Sequence, residues 1–143
     1  MPVTYVPVTI ADAATYTVKS QDSGLRHYIP NLTADIVISL PSPKAGLWFE
    51  FIYAGAAADA QDWQINTGSD TNYFKGGVVY NLTNAGDTED EVVSVMSDGN
   101  SNSKLNVLTP EGGTRVMVES ADGVTWNVSG TVIADGPPTF ADQ

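Results

Sequence analysis

Turn-forming clusters recur about every ten residues, and this spacing limits the fold more than any other feature of the chain. The clusters are Asp22-Ser23-Gly24, Pro41-Ser42-Pro43, Thr67-Gly68-Ser69-Asp70, Asn84-Ala85-Gly86-Asp87, Ser97-Asp98-Gly99-Asn100, Glu111-Gly112-Gly113 and Ala121-Asp122-Gly123. The stretches between them are rich in Val and Thr, whose branched Cβ atoms favour extended backbone. They are long enough for strands and too short for helices of ordinary length. Residues 54–61 are the one helical alternative, with Ala at positions 54, 56, 57, 58 and 60. A helix that short is marginal on its own, so a loop is expected there. The expectation is an all-β fold: an antiparallel β-sandwich or jelly-roll-like barrel with extended terminal arms.

Side-chain alternation assigns faces. In residues 47–53, Leu47, Phe49, Phe51 and Tyr53 share one face, and Trp48, Glu50 and Ile52 share the other. Ile36, Ile38 and Leu40 line up in residues 35–40, and Trp63 pairs with Ile65 in residues 62–66. Trp126 and Val128 do the same in residues 124–133, whereas Gly76-Gly77 interrupts residues 73–82 and reads as a bulge or bend. The expected core contains Ile36, Ile38, Phe49, Phe51, Val116, Val118, Trp126 and Val128. No repeat of fixed period is visible, and no linker divides the chain. Residues 15–133 are expected to form a single β domain. Residues 1–14 read as an N-terminal arm: Pro7 suits an edge strand or extended arm, and Tyr5, Val6, Val8 and Ile10 make it apolar on both faces. Such an arm is expected to be covered by a neighbouring subunit or by strand addition. Residues 134–143 read as a tail in which Pro137-Pro138 favours extended backbone and Phe140 needs a groove.

Charge and composition narrow the function. The 143 residues include 6 Lys and Arg against 17 Asp and Glu, a formal charge of -11. Nucleic acids and anionic membranes are poor partners for such a chain, because phosphate binding relies on clustered Lys and Arg. No apolar run approaches the roughly 20 residues that a membrane-spanning helix needs. The N-terminal residues lack the basic-then-apolar pattern of a secretory leader, so none is expected. The absence of Cys excludes disulfides and thiolate sites, and a single His excludes multi-His metal sites.

The residues capable of chemistry are few. His27 lacks a nucleophile elbow elsewhere in the sequence and reads as a packed or surface histidine. Glu50, among aromatics in a strand, is the best candidate for a glycosidase-type carboxylate. Its alternative role is an ion pair with Arg26, Lys44 or Arg115 at or near a subunit contact. Asp98-Gly99-Asn100-Ser101-Asn102 begins like a calcium loop, then places Ser103 and Thr109 where Gly and Glu belong. It reads as a polar turn. The run Asp87-Thr88-Glu89-Asp90-Glu91 reads as a solvated loop tip. Trp48, Trp63 and Trp126 suit core or interface packing better than a sugar platform. No catalytic residue, cofactor or metal is expected, and the protein is not expected to be an enzyme.

Three segments together resemble small virion proteins of tailed bacteriophages, many of them capsid decoration (cement) proteins. They are Asp22-Ser23-Gly24; residues 40–51, which run Leu-Pro-Ser-Pro-Lys-Ala-Gly-Leu-Trp-Phe-Glu-Phe; and residues 121–130, Ala-Asp-Gly-Val-Thr-Trp-Asn-Val-Ser-Gly. Ala121 stands where the family usually has Ser. The resemblance spans roughly residues 15–133 and marks strands and turns rather than a site. It implies a protein made in the bacterial cytoplasm that binds the outer surface of the major capsid protein shell and stabilises it. The alternative is a tail or fibre receptor-binding module, for which Trp63 or Tyr73 is expected in a saccharide-binding cleft. A homotrimer is expected, because the strand at 47–53 is apolar on both faces and a trimer matches three-fold positions of a shell. The expected partner interface comprises Tyr5, Val6, Val8, Ile10, Trp48, Glu50 and Phe140.

Overall fold

The computed structural model describes residues 5–82 and 91–143. The turn cluster at 84–87 and the acidic run at 87–90 lie outside the described residues, as do positions 3 and 4 of the arm. In chain order the strands are β1 (Val8–Thr9), β2 (Thr15–Thr17), β3 (Arg26–Ile29), β4 (Ile36–Ser39), β5 (Trp48–Tyr53) and β6 (Trp63–Asn66). They continue as β7 (Phe74–Leu82), β8 (Val92–Met96), β9 (Lys104–Val107), β10 (Arg115–Glu119), β11 (Trp126–Ala134) and β12 (Thr139–Ala141). A single turn of 3-10 helix, Ser20–Asp22, precedes β3. Residues 54–61 form a loop, as expected for so short an alanine-rich stretch.

The strands build two sheets packed face to face, an all-β sandwich. The larger sheet has the order β1-β3-β5-β10-β11-β7-β8, and the smaller β12-β9-β6-β4-β2. Neither sheet closes on itself, so the barrel alternative is set aside. Both sheets are mixed rather than antiparallel, which corrects the expected pairing. β1, β3 and β5 run parallel to one another, as do β2, β4 and β6. The cause is the path of the chain: the first six strands alternate between the sheets, so each one re-enters its own sheet in the same direction. The chain intervals between register partners Val8, His27 and Phe51 are unequal, which is why no fixed period shows in the sequence.

The inward faces are those that alternation assigns. Phe49, Phe51, Val116, Val118, Trp126 and Val128 of the larger sheet meet Ile36 and Ile38 of the smaller one, all of them buried. Trp63, Ile65, Phe74, Leu105 and Val107 complete the centre. Both terminal segments belong to this body. Val8 and Thr9 pair with His27 and Tyr28, and Ile10 is fully buried. The tail returns as β12 against β9, with the Phe140 ring edge-on to Phe74 at 6.0 Å. The groove that Phe140 needs is therefore supplied by its own chain. The bend expected at Gly76-Gly77 is present: Gly76 has φ +90, and a Cβ there would lie 2.6 Å from the Val128 carbonyl oxygen.

Candidate functional site

Two of the three family-like segments meet at the start of β5. The Gly24 N–H donates to the Trp48 carbonyl at 2.9 Å, and the Trp48 N–H donates to Ser23 Oγ at 3.1 Å. Gly24 has φ +87, a conformation that glycine adopts without penalty. Ser120, the residue just before the third segment, closes on the same place, and Gly123 of that segment lies beside it. Gly46 N–H donates to the Ser120 carbonyl at 2.8 Å, and Ser120 N–H donates to the Leu47 carbonyl at 2.9 Å. Gly123 packs against Lys44 and Ala45. These turns fix the backbone that presents Trp48.

Beside Trp48 lies a cleft of about 500 Å³, walled by Tyr5, Pro7, Arg26, Tyr28 and Trp48 and floored by residues 23–25. Among the described residues that line it, Tyr5, Tyr28 and Trp48 are aromatic and Arg26 is the one charged side chain. Tyr5 is 74% exposed and Trp48 37%, and both wall this cleft; Val6, next to Tyr5 in the chain, is 78% exposed.

Glu50 sits next to this cleft on the outer face of β5, nearly buried. Its Oε2 accepts from Arg26 Nε at 3.0 Å, and its Oε1 accepts from Arg115 Nε at 2.8 Å. Adjacent strands β3 and β10 carry the two arginines to either side of it. Both lone-pair faces of the carboxylate are thus occupied, and the triad carries a net positive charge in a chain of -11. This is the ion pairing expected of Glu50, made within one chain. A carboxylate whose two oxygens each accept from a guanidinium group is committed to ion pairing, which suits a structural role. The triad also covers much of the outer face of β5, leaving Trp48 as its exposed member.

The other expected residues fall elsewhere. Of the expected interface, Tyr5, Val6 and Trp48 are exposed together, whereas Ile10 and Glu50 are buried, and Val8 and Phe140 are partly covered by their own chain. Trp63 is fully buried, which removes it as an exposed cleft residue: Ile65 and Trp63 point inward from β6. Tyr73 is half-buried under Lys75, whose Nζ lies 5.7 Å from the ring centre. Trp126 is core. His27 is also core, edge-on to Phe49 at 5.8 Å and near Tyr16 at 6.2 Å. Its Nδ1 bonds the Leu25 carbonyl at 3.2 Å, and its buried Nε2 has no hydrogen-bond partner among the described residues. Burial pushes its pKa down, against smaller upward effects of the Leu25 bond and of Asp22.

Asp98 is used by its own turn, accepting from the backbone N–H groups of Asn100, Ser101 and Asn102 and from the Ser101 hydroxyl. Those bonds hold it well below the usual carboxylate range. Asp122 is held down to about 2 in the same way by Thr125 and Val124. Two features escaped the sequence pattern. Asp59, in the alanine-rich loop, is buried and accepts from the Leu32 N–H at 2.9 Å, tying that loop to the β3–β4 connection. Tyr28, paired with Ile52 on the outer face, brings a second ring to the Trp48 cleft. Comparison of the chain with protein-family models, curated proteins and solved structures gives no match.

Proposed function

We propose that the protein is a capsid decoration protein of a tailed phage, docking on the outer surface of the major capsid protein shell and stabilising it. The observation that carries this reading is the exposed apolar surface of Tyr5, Val6 and Trp48 on a disulfide-free sandwich. Large exposed apolar side chains grouped at one place mark a contact with another macromolecule. The charge distribution supports the same reading. Among the described strands only Glu50 and Glu119 are acidic, so the carboxylates cluster in the connections and leave the sheet faces free to dock. Three copies around a three-fold position of the shell would each present this surface and gain avidity from joint attachment.

The test is titration of undecorated capsids with the purified protein and with a Tyr5→Ala, Val6→Ser, Trp48→Ala variant. All three side chains are exposed, so the variant keeps its fold by circular dichroism. Capsid affinity is expected to fall at least tenfold; unchanged affinity contradicts the reading. The cleft favours a second reading, a tail or fibre adhesion module. Trp48, Tyr28 and Arg26 together offer a stacking ring and a donor to a saccharide, the role expected of Trp63 or Tyr73. Copy number separates the two: hundreds on the head for decoration, a handful at the tail for adhesion.

A further inference from the structure

The cleft beside Trp48 gathers hydrogen-bond donors that the fold leaves unused. Arg26 donates to Glu50 from Nε, and its two terminal nitrogens have no acceptor among the described residues. The same is true of the Trp48 indole N–H and of the Tyr5 and Tyr28 hydroxyls. The main chain of the floor is differently placed. Gly24 N–H donates to the Trp48 carbonyl, Leu25 N–H donates to the Asp22 carbonyl, and the Leu25 carbonyl bonds His27 Nδ1.

Charge and shape narrow what such a cleft can take. Behind Arg26, a single carboxylate serves two guanidinium groups, so positive charge is left over at a cleft whose one charged wall is Arg26. A chain of -11 repels anions in general, which makes this local excess particular to its place. A guanidinium engaged at Nε still offers its two terminal nitrogens as a fork, the geometry that matches a carboxylate. The indole lies over Gly24, where a Cβ would stand 3.8 Å from its ring, and this seat fixes the ring at the cleft wall. Trp and Tyr side chains cover an apolar ring face while their N–H and O–H groups bond its polar rim. A peptide relies on main-chain partners, and the Gly24 N–H and both Leu25 groups are already taken. The volume of about 500 Å³ is that of a small-ligand site.

We propose that this cleft binds an acidic saccharide: a sugar ring stacked on Trp48 and bordered by Tyr5 and Tyr28, with its carboxylate held by the terminal nitrogens of Arg26. The inference rests on the adhesion reading of the cleft and adds to it the charge of the ligand. Glu50 is then a positioning residue. By engaging Nε it holds the guanidinium in place and leaves the fork to the ligand.

Matched glycans on an array test this: uronate- and sialate-bearing oligosaccharides with the carboxylate free, and the same chains as methyl esters. The full chain is expected to bind the free acids at least about tenfold more tightly, the worth of a charge-assisted hydrogen bond. Arg26→Met is expected to abolish that preference and Arg115→Met to keep it. Both arginines are largely exposed and both pair with Glu50, so a merely structural role would move the two variants alike. Trp48→Ala is expected to weaken binding of acid and ester together. Equal binding of acid and ester by the wild-type chain overturns this inference and leaves the adhesion reading standing. Equal loss in Arg26→Met and Arg115→Met overturns it too, as does tighter binding of a glutamate-rich peptide than of any glycan. If no glycan on the array binds, the inference and the adhesion reading fall together.

Discussion

His27 carries the most pH-sensitive position in the core. Its ring is buried among Tyr16, Phe49 and Phe51, and among the described residues no acceptor stands ready for a proton on Nε2. Desolvation lowers its pKa from the ordinary value of 6.5, so the unfolded chain binds the proton more readily than the folded one. The sign follows: this contribution is fully present above pH 6.5 and is lost as pH falls below it toward the folded value, by at most about 1.4 kcal/mol per pH unit. Urea denaturation at pH 7.5 and 5.5 should show the loss, and His27→Phe should flatten it; equal slopes in both proteins contradict the assignment. At Glu50 the two arginines are largely exposed, so the pairing is worth less than a dry one. Glu50→Gln is expected to cost about 1–2 kcal/mol. Arg26→Ala and Arg115→Ala should each cost less than that, with non-additive effects in a double-mutant cycle, because either arginine alone still serves the carboxylate. The pairing of Glu50 was legible from a lone acid set in an aromatic strand. The burial of Trp63 agrees with its reading as a packing residue and removes it from the exposed cleft that the receptor-binding alternative needs.

At the scale of the element, the strongest signal was period two. β5 reads correctly in both directions, with Phe49, Phe51 and Tyr53 in the core and Trp48 outside. Phe51→Ala should cost about 3–5 kcal/mol in denaturant-melt stability, the usual result of emptying a core aromatic site; a change below 1 kcal/mol contradicts its place. β11 depends on a residue that has no side chain. Gly130 has φ +146, and a Cβ there would lie 2.1 Å from the Arg115 carbonyl oxygen of the neighbouring strand. Gly130→Ala is expected to cost about 2 kcal/mol or more, since backbone rather than a movable side chain blocks the site. Strand direction was not legible. Parallel pairing of β1, β3 and β5 follows from a chain that crosses between sheets at every step, and no local pattern records where a strand lands. The same blindness made the termini look like arms, whereas Ile10 and Phe140 find their cover within the body.

On the scale of the whole molecule, one end of the larger sheet carries the Tyr5–Trp48 surface with the Arg26–Glu50–Arg115 triad behind it. Asp22-Ser23-Gly24 and residues 40–51 and 121–130 read in sequence as turns and strands alone. In the fold they converge on the backbone around Trp48, which no spacing rule could foretell because they are joined only by register across sheets. The acidic connections keep the surface charged, which opposes aggregation. The proposed function is tested most directly by a cryo-EM map of phage capsids incubated with the protein. The account predicts copies arrayed over the outer capsid surface, with Tyr5, Val6 and Trp48 against the major capsid protein. Bare capsids, or copies on the shell with Trp48 facing solvent, contradict it.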